Sequence, residues 1–176
     1  MKVAVTIGVA VVTMLAPAVA RPAAETTAVL FSISKSENKN FVQFVERLDA
    51  SCAPVGQAPV YAYWRMLEKG TTATEALLDR EQPAYGIASQ SVEPRGDGSA
   101  AVRMTLRALP HMPLLVESGR AADGTCTAWV RTPIDGVDAK LFNVHVVLRW
   151  PFGVARLLVT GWSAFDGHLV REARQP

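Results

Sequence analysis

Apolar and polar side chains alternate along most of this chain with a period of two, and the 3.6-residue period of an amphipathic helix is nearly absent. Ala28–Ser34 sets Val29, Phe31 and Ile33 on one side, and Asn40–Leu48 sets Val42, Phe44 and Leu48 opposite Gln43 and Arg47. In Val60–Leu67 the residues Val60, Ala62, Trp64 and Met66 share a face, with Tyr61, Tyr63 and Arg65 on the other. Ala101–Leu109 places Val102, Met104 and Leu106 inward and Arg103, Thr105 and Arg107 outward. The same pattern predicts strands over Tyr85–Val92, Leu114–Ser118, Thr125–Thr132, Lys140–Trp150, Val154–Ser163 and Leu169–Arg174. In Lys140–Trp150 it points Phe142, Val144 and Val146 one way and Asn143, His145 and Arg149 the other.

Turn chemistry separates these runs: Pro94–Gly98, Ala122–Thr125, Pro133–Gly136, Pro151–Gly153 and Phe165–Gly167 carry the Gly, Pro and Asp that hairpins use. One interval departs from the pattern. Thr72–Gln82 has an early Glu and paired leucines, which predict a short helix near residues 73–81 that ends by Pro83. About ten short strands joined by hairpins make an all-β antiparallel meander, closed or partly open as a barrel, with a two-sheet sandwich as the alternative. Successive turns of such a chain alternate between its ends. The loop Lys35–Asn40 should then share an end with the helical insert, Leu109–Pro113, Thr132–Asp138 and the Phe165–His168 turn. The other end should collect Ala50–Gln57, Pro94–Gly98, Ala122–Cys126 and Pro151–Gly153.

The first twenty residues stand outside this alternation. Lys2, an uncharged run from Val3 to Leu15, and Ala18 and Ala20 before Arg21 have the order of a secretory leader cut after Ala20. The run is marginal for spanning a bilayer, so no stable membrane span is expected after its removal. Residues 21–27 read as a flexible lead-in and 28–174 as a single all-β domain, exported to the periplasm or the extracellular space. Charge adds little: 18 Lys and Arg against 16 acids is too even for capture of nucleic acid. The two cysteines, Cys52 and Cys126, form an even pair in an exported chain, and both fall at the end opposite Lys35–Asn40. A disulfide between them is expected. A metal role is not, since neither has a second ligand at CxxC spacing.

Three stretches, FSISKSENKNFVQF, APVYAYWRMLEKG and EQPAYGI, resemble the opening half of the bacterial exported family catalogued as domain of unknown function 4833. Asn38, Asn40, Pro59, Tyr63, Trp64, Ala84, Tyr85 and Gly86 are the matching positions, and RLLVTGWSAFDGHLVRE is similar to the family's closing hairpin. The resemblance implies an exported domain and supplies no activity. Lys35–Asn40 itself reads first as a hairpin loop, in which Asn38 or Asn40 could bond the backbone of a neighbouring loop or a ligand.

No HExxH, GxSxG, GxGxxG or phosphate-binding loop occurs, and no catalytic residue, cofactor or metal is singled out. The favoured expectation is a non-enzymatic binding or structural module for a small, lipid-like or glycan ligand. Its candidate contacts are Asn38, Asn40, Tyr61, Tyr63, Arg65, His111 and His168. The aromatics Trp64, Trp129, Trp150, Trp162 and Tyr85 could wall a site or simply form core. The competing reading is a hydrolase or metal-dependent enzyme that uses His111 or His168 with Asp135, Asp138 or Asp166 at one end of the barrel.

Overall fold

The structure is a computed structural model and describes residues 25–35, 38–69, 73–149 and 153–175. The expected leader (residues 1–20), Trp150 and most of the 151–153 turn lie outside the described residues. The strands are β1 (Thr26–Lys35), β2 (Phe41–Leu48), β3 (Val60–Arg65), β4 (Thr74–Ala76), β5 (Ile87–Pro94), β6 (Ala100–Leu106), β7 (Leu109–Arg120), β8 (Cys126–Ile134), β9 (Val137–Leu148), β10 (Val154–Ser163) and β11 (Leu169–Arg174). The fold is all-β, and each of the ten runs with period two forms a strand.

The insert is built differently from the expectation. β4 occupies part of the predicted helix, a 3₁₀ turn follows at Asp79–Glu81, and the one short helix, α1, is Gln82–Tyr85. Pro83 begins that helix rather than ending one. Proline's missing N–H costs nothing in the first turn, where no intrahelical acceptor is waiting.

Among the described residues the hydrogen-bonded path runs β4-β3-β2-β1-β9-β8-β7-β6-β5, with β10 and β11 branching from β9, and it does not close into a ring. A closed barrel is therefore excluded. One limb of the path is β1 to β4 and the other β5 to β8, and at the seam between them a side chain substitutes for a strand. The Gln90 amide accepts from the Val60 N–H and donates to the Val60 carbonyl, each at 2.9 Å, so β5 is bonded to β3 without a backbone ladder.

The meander is also not purely antiparallel. β1 runs parallel to β9 over Ser32–Lys35 and Asn143–Val146. β8 pairs with β9 only as far as Leu141, so one side of β9 passes from β8 to β1 at Phe142. Phe142 is the extra residue of a bulge, since Thr160 and Gly161 face Asn143 and Leu141 in turn. A bulge bends its strand and reverses the facing of the residues beyond it. Leu141 and Val144 are accordingly both buried while Phe142 is exposed, which corrects the expectation that Phe142 would face with Val144. Gly161 is required here: a Cβ would lie 2.6 Å from Ile134 Cδ1 and 2.7 Å from the Lys140 carbonyl. A second bulge, at Leu30, turns Val29 outward while Ala28, Leu30, Phe31 and Ile33 are buried.

One apolar core lies between the limbs. Phe31, Phe44 and Val60 from the first meet Met104, Leu106, Met112 and Leu114 from the second. A Cys52–Cys126 disulfide joins the loop after β2 to the start of β8, as the cysteine count predicts. Asp49 shapes that loop by accepting from Ser51 N, Ser51 Oγ and Ala53 N. Those bonds, led by the Ser51 hydroxyl, hold its carboxyl below the usual carboxylate range.

Candidate functional site

The β1–β2 loop and the insert meet over the end of β3. Asn40 N–H donates to Asn38 Oδ1 at 3.1 Å, a turn that asparagine favours because its short amide can stand in for a backbone acceptor. The loop's next neighbours are set by the ladder, because Phe41 pairs with Arg65 and Arg65 with Thr74. Asn40, only 6% exposed, then bridges to a 3₁₀ turn, Leu67–Lys69, that precedes the insert: its Oδ1 accepts from Glu68 N–H and its Nδ2 donates to Glu68 Oε2, both at 3.3 Å. An asparagine of this loop thus does bond the backbone of a neighbouring loop.

Beneath the loop lies Trp64, on the inward face of β3. Its indole N–H donates to Glu81 Oε2 at 3.0 Å, and its ring meets Tyr85 edge-on at 5.1 Å. Lys35 Nζ stands 5.7 Å from the Trp64 ring centroid, within reach of a cation–π attraction. Glu81 Oε2 also accepts from Leu78 N–H at 2.9 Å. Desolvation pushes the Glu81 carboxyl up. The bonds from Leu78 and Trp64 and the charges of Arg80 and Lys35 outweigh it, so the group stays ionised below the usual range. These groups enclose a pocket of about 170 Å³ lined by Lys35, Asn38, Asn40, Trp64, Met66, Glu75 and Glu81. Chemically it offers an ammonium, two carboxylates, two amides and an indole.

The other expected contacts are not in this pocket. Tyr61, Tyr63 and Arg65 lie on the opposite face of β3 from Trp64. Tyr63 bonds Gln43 there, and the two tyrosine rings are 6.1 Å apart. His111 is exposed near the start of β7. His168 is further still. Lys35 pairs with Val146 near the end of β9, whereas the β10–β11 turn is bonded to Asp138 at its beginning. Eight residues of strand separate the two levels, roughly 26 Å. The parallel β1–β9 junction causes this: it sets the end of β1 beside the end of β9, far from the β10–β11 turn.

His168 does meet an aspartate: its Nδ1 is 2.6 Å from Asp166 Oδ1. Both are more than half exposed, and Asp166 is drawn down to about 2, first by Ser163 and then by His168. The pair is a local turn contact two residues apart. Among the described residues, no group of three or more His, Cys, Asp or Glu is placed to hold a metal ion. Nor is any helix among them long and apolar enough to cross a membrane.

Sequence reasoning missed Met66, Glu75 and Glu81, and Lys35 was not separated from its loop. The predicted helix hid both glutamates. The usable signal was Glu81 three residues after Leu78, an acid placed where its carboxylate can accept from the first free N–H of a helical turn. No curated protein and no solved structure matches this chain. Residues 31–173 match the family described as Domain of unknown function (DUF4833), spanning the loop, Trp64, the insert and the closing hairpin, and the chain belongs to that family.

Proposed function

We propose that this domain is an exported, non-enzymatic binding module whose site is the pocket between the β1–β2 loop and the insert, taking a small polar ligand such as one sugar unit of a glycan. The observation that carries the reading is the convergence of Lys35, Asn38, Asn40, Glu75 and Glu81 around the Trp64 indole. Sugar hydroxyls need paired donors and acceptors, and a pyranose ring needs an apolar face beside them. Carboxylates, amides and an indole supply both. At about 170 Å³ the pocket is smaller than the roughly 300–1,000 Å³ of sites for drug-sized molecules, which favours a single ring or side chain. A lipid-like ligand is less well supported, because Phe31, Phe44, Met104, Leu106, Met112 and Leu114 fill the interior that an acyl chain would occupy. Hydrolysis at His168 and Asp166 is disfavoured by their open, solvated setting.

The bond from Glu68 N–H to Asn40 favours a second reading, in which the loop only fastens the 3₁₀ turn ahead of the insert. Titration with a panel of monosaccharides and short cell-surface oligosaccharides, followed by NMR, separates the two. Binding here should shift the Trp64 indole N–H and the Asn38 and Asn40 amide resonances, and Glu81→Gln should weaken it about tenfold or more. If no member of the panel moves those resonances, the fastening role is left. Export has its own check: protein recovered outside the cytoplasm should have the intact mass of a chain that begins at Arg21.

A further inference from the structure

The outer face of β8–β11 carries an apolar surface unrelated to that pocket. Phe142, Trp162 and Leu169 are 38%, 46% and 39% exposed, and Phe165 at the tip of the β10–β11 turn is 98% exposed. The first two rings stack at 5.6 Å. Trp162 pairs across the ladder with Lys140 on one side and Leu169 on the other, so all three point outward together. Beside them runs a groove of about 500 Å³, lined by Glu117, Trp129, Arg131, Asp138, Lys140 and Phe165 among others. We propose that this face joins two copies of the chain, with Phe165 of each copy seated in the groove of the other.

The knob and the groove adjoin in one patch, and a two-fold axis through such a patch makes both insertions at once. The backbone of the turn that carries the knob is already fixed. Phe165 N–H donates to Ser163 Oγ at 3.3 Å, Gly167 N–H donates to the Ser163 carbonyl at 3.0 Å, and Gly167 takes the positive φ of 72° that the turn requires. Little backbone ordering entropy is then lost on docking.

Charge selects among occupants. The groove holds two acids and two bases that already compensate one another: Arg131 pairs with Asp138 and lies 3.7 Å from Glu117, and Lys140 sits 4.5 Å over the Trp129 ring. Such a surface has no net field to draw an anionic membrane or polymer, and it meets its own copy without like-charge repulsion. The four exposed side chains amount to roughly 400–500 Å² per copy before the charged rim is counted. Doubled, that is roughly 800–1,000 Å², below the roughly 1,200–2,000 Å² buried in total by stable interfaces, so the dimer should be weak and concentration-dependent.

Analytical ultracentrifugation of the mature chain across a dilution series tests this. The weight-average mass should climb toward that of two chains as concentration rises. Phe165→Ser should raise the dissociation constant more than tenfold. A ring this exposed supports no core, so the variant should fold, and circular dichroism checks that it does. Val29→Ser, at an exposed position outside the patch, should leave association unchanged. A wild-type protein that is monomeric throughout, or a dimer indifferent to Phe165→Ser, overturns the proposal. A monomer whose tryptophan emission shifts with oligosaccharide or with phosphatidylcholine vesicles would also overturn it and give the face to that partner instead. The readout is mass, so its failure is separate from failure of the sugar pocket.

Discussion

Glu46 on β2 and Glu117 on β7 are both strand carboxylates withdrawn from water, at 0% and 9% exposure, yet they reach opposite states. Glu46 shares the inward face with Phe44 and Leu48, and neither of its oxygens has a hydrogen-bond partner among the described residues. Burial alone pushes its pKa up to about 7. Glu117 is on the outer face, under a roof of side chains. Trp129 Nε1 donates to it at 2.9 Å, Arg95 bonds it directly, and Arg131 stands at 3.7 Å. Desolvation pulls its pKa up as well, but the bonds from Arg95 and Trp129 and the two guanidinium charges bring it below the usual range. Partners, rather than depth, decide whether a buried carboxylate is charged.

The disulfide ties these regions together, and breaking it should have the largest effect. Cys52 lies just after the strand of Glu46, and Cys126 begins the strand paired with that of Glu117. A crosslink 74 residues apart in sequence contributes about 4 kcal/mol in the chain-entropy account. Cys52→Ala with Cys126→Ala should lower stability in urea by that order. If the limbs then unfold in two steps, the pH dependence contributed by Glu46 should appear only in the step that releases β2. A single transition would show that the shared core couples the limbs without the crosslink.

Glu46 should produce the second effect, at a pH where Glu117 does nothing. Its folded pKa of about 7 lies above the ordinary 4.5, so between those values the unfolded chain has lost a proton that the folded chain keeps. Rising pH therefore favours unfolding across that window and levels off above it. The total loss is on the order of 3 kcal/mol. Glu46→Leu should remove this slope and stabilise the protein most above about pH 7. Urea midpoints measured across the window check it, and an unchanged slope in the variant would place the titrating group elsewhere.

Glu46 also shows how much of the fold is legible in the sequence. Period two places Val42, Phe44 and Leu48 inward, and the same parity carries Glu46 in with them. The ten strands and the cysteine pair are legible because alternation and even cysteine counts are local or compositional facts. The bulges at Leu30 and Phe142 are not, since an extra residue shows only against a partner strand's register. The parallel β1–β9 junction is hidden for a related reason. It is held by Ile33 packing beside Val144 and by Ser32 and Ser34 hydrogen-bonded to Asn143 and His145, across more than 100 residues. The site divides in the same way. Asn38 and Asn40 announce a turn by their chemistry, while Glu81 reaches the pocket only through its bond to Trp64, 17 residues back.

The smallest effect should come from Glu117, and it should carry the opposite pH sign. Its folded pKa is lowered, so its contribution is fully present above the ordinary carboxylate value and is lost as pH falls through the folded one. Glu117→Gln keeps the shape and can still accept from Trp129, but it removes the charge that faces Arg95 and Arg131. Those guanidinium side chains are 37% and 40% exposed, so water takes up much of what they lose. A cost of roughly 1–2 kcal/mol at neutral pH is expected, below the 3–5 kcal/mol for stranding a fully buried charge. Variant and wild type should converge once the solution is acid enough to protonate Glu117. Combining Glu117→Gln with Glu46→Leu should then leave little slope near neutrality, while the carboxylates held low elsewhere, Asp49, Glu81 and Asp166 among them, still cost stability as the solution turns acid. A residual slope near neutrality in that double variant would mean that Glu46 is not the group titrating there.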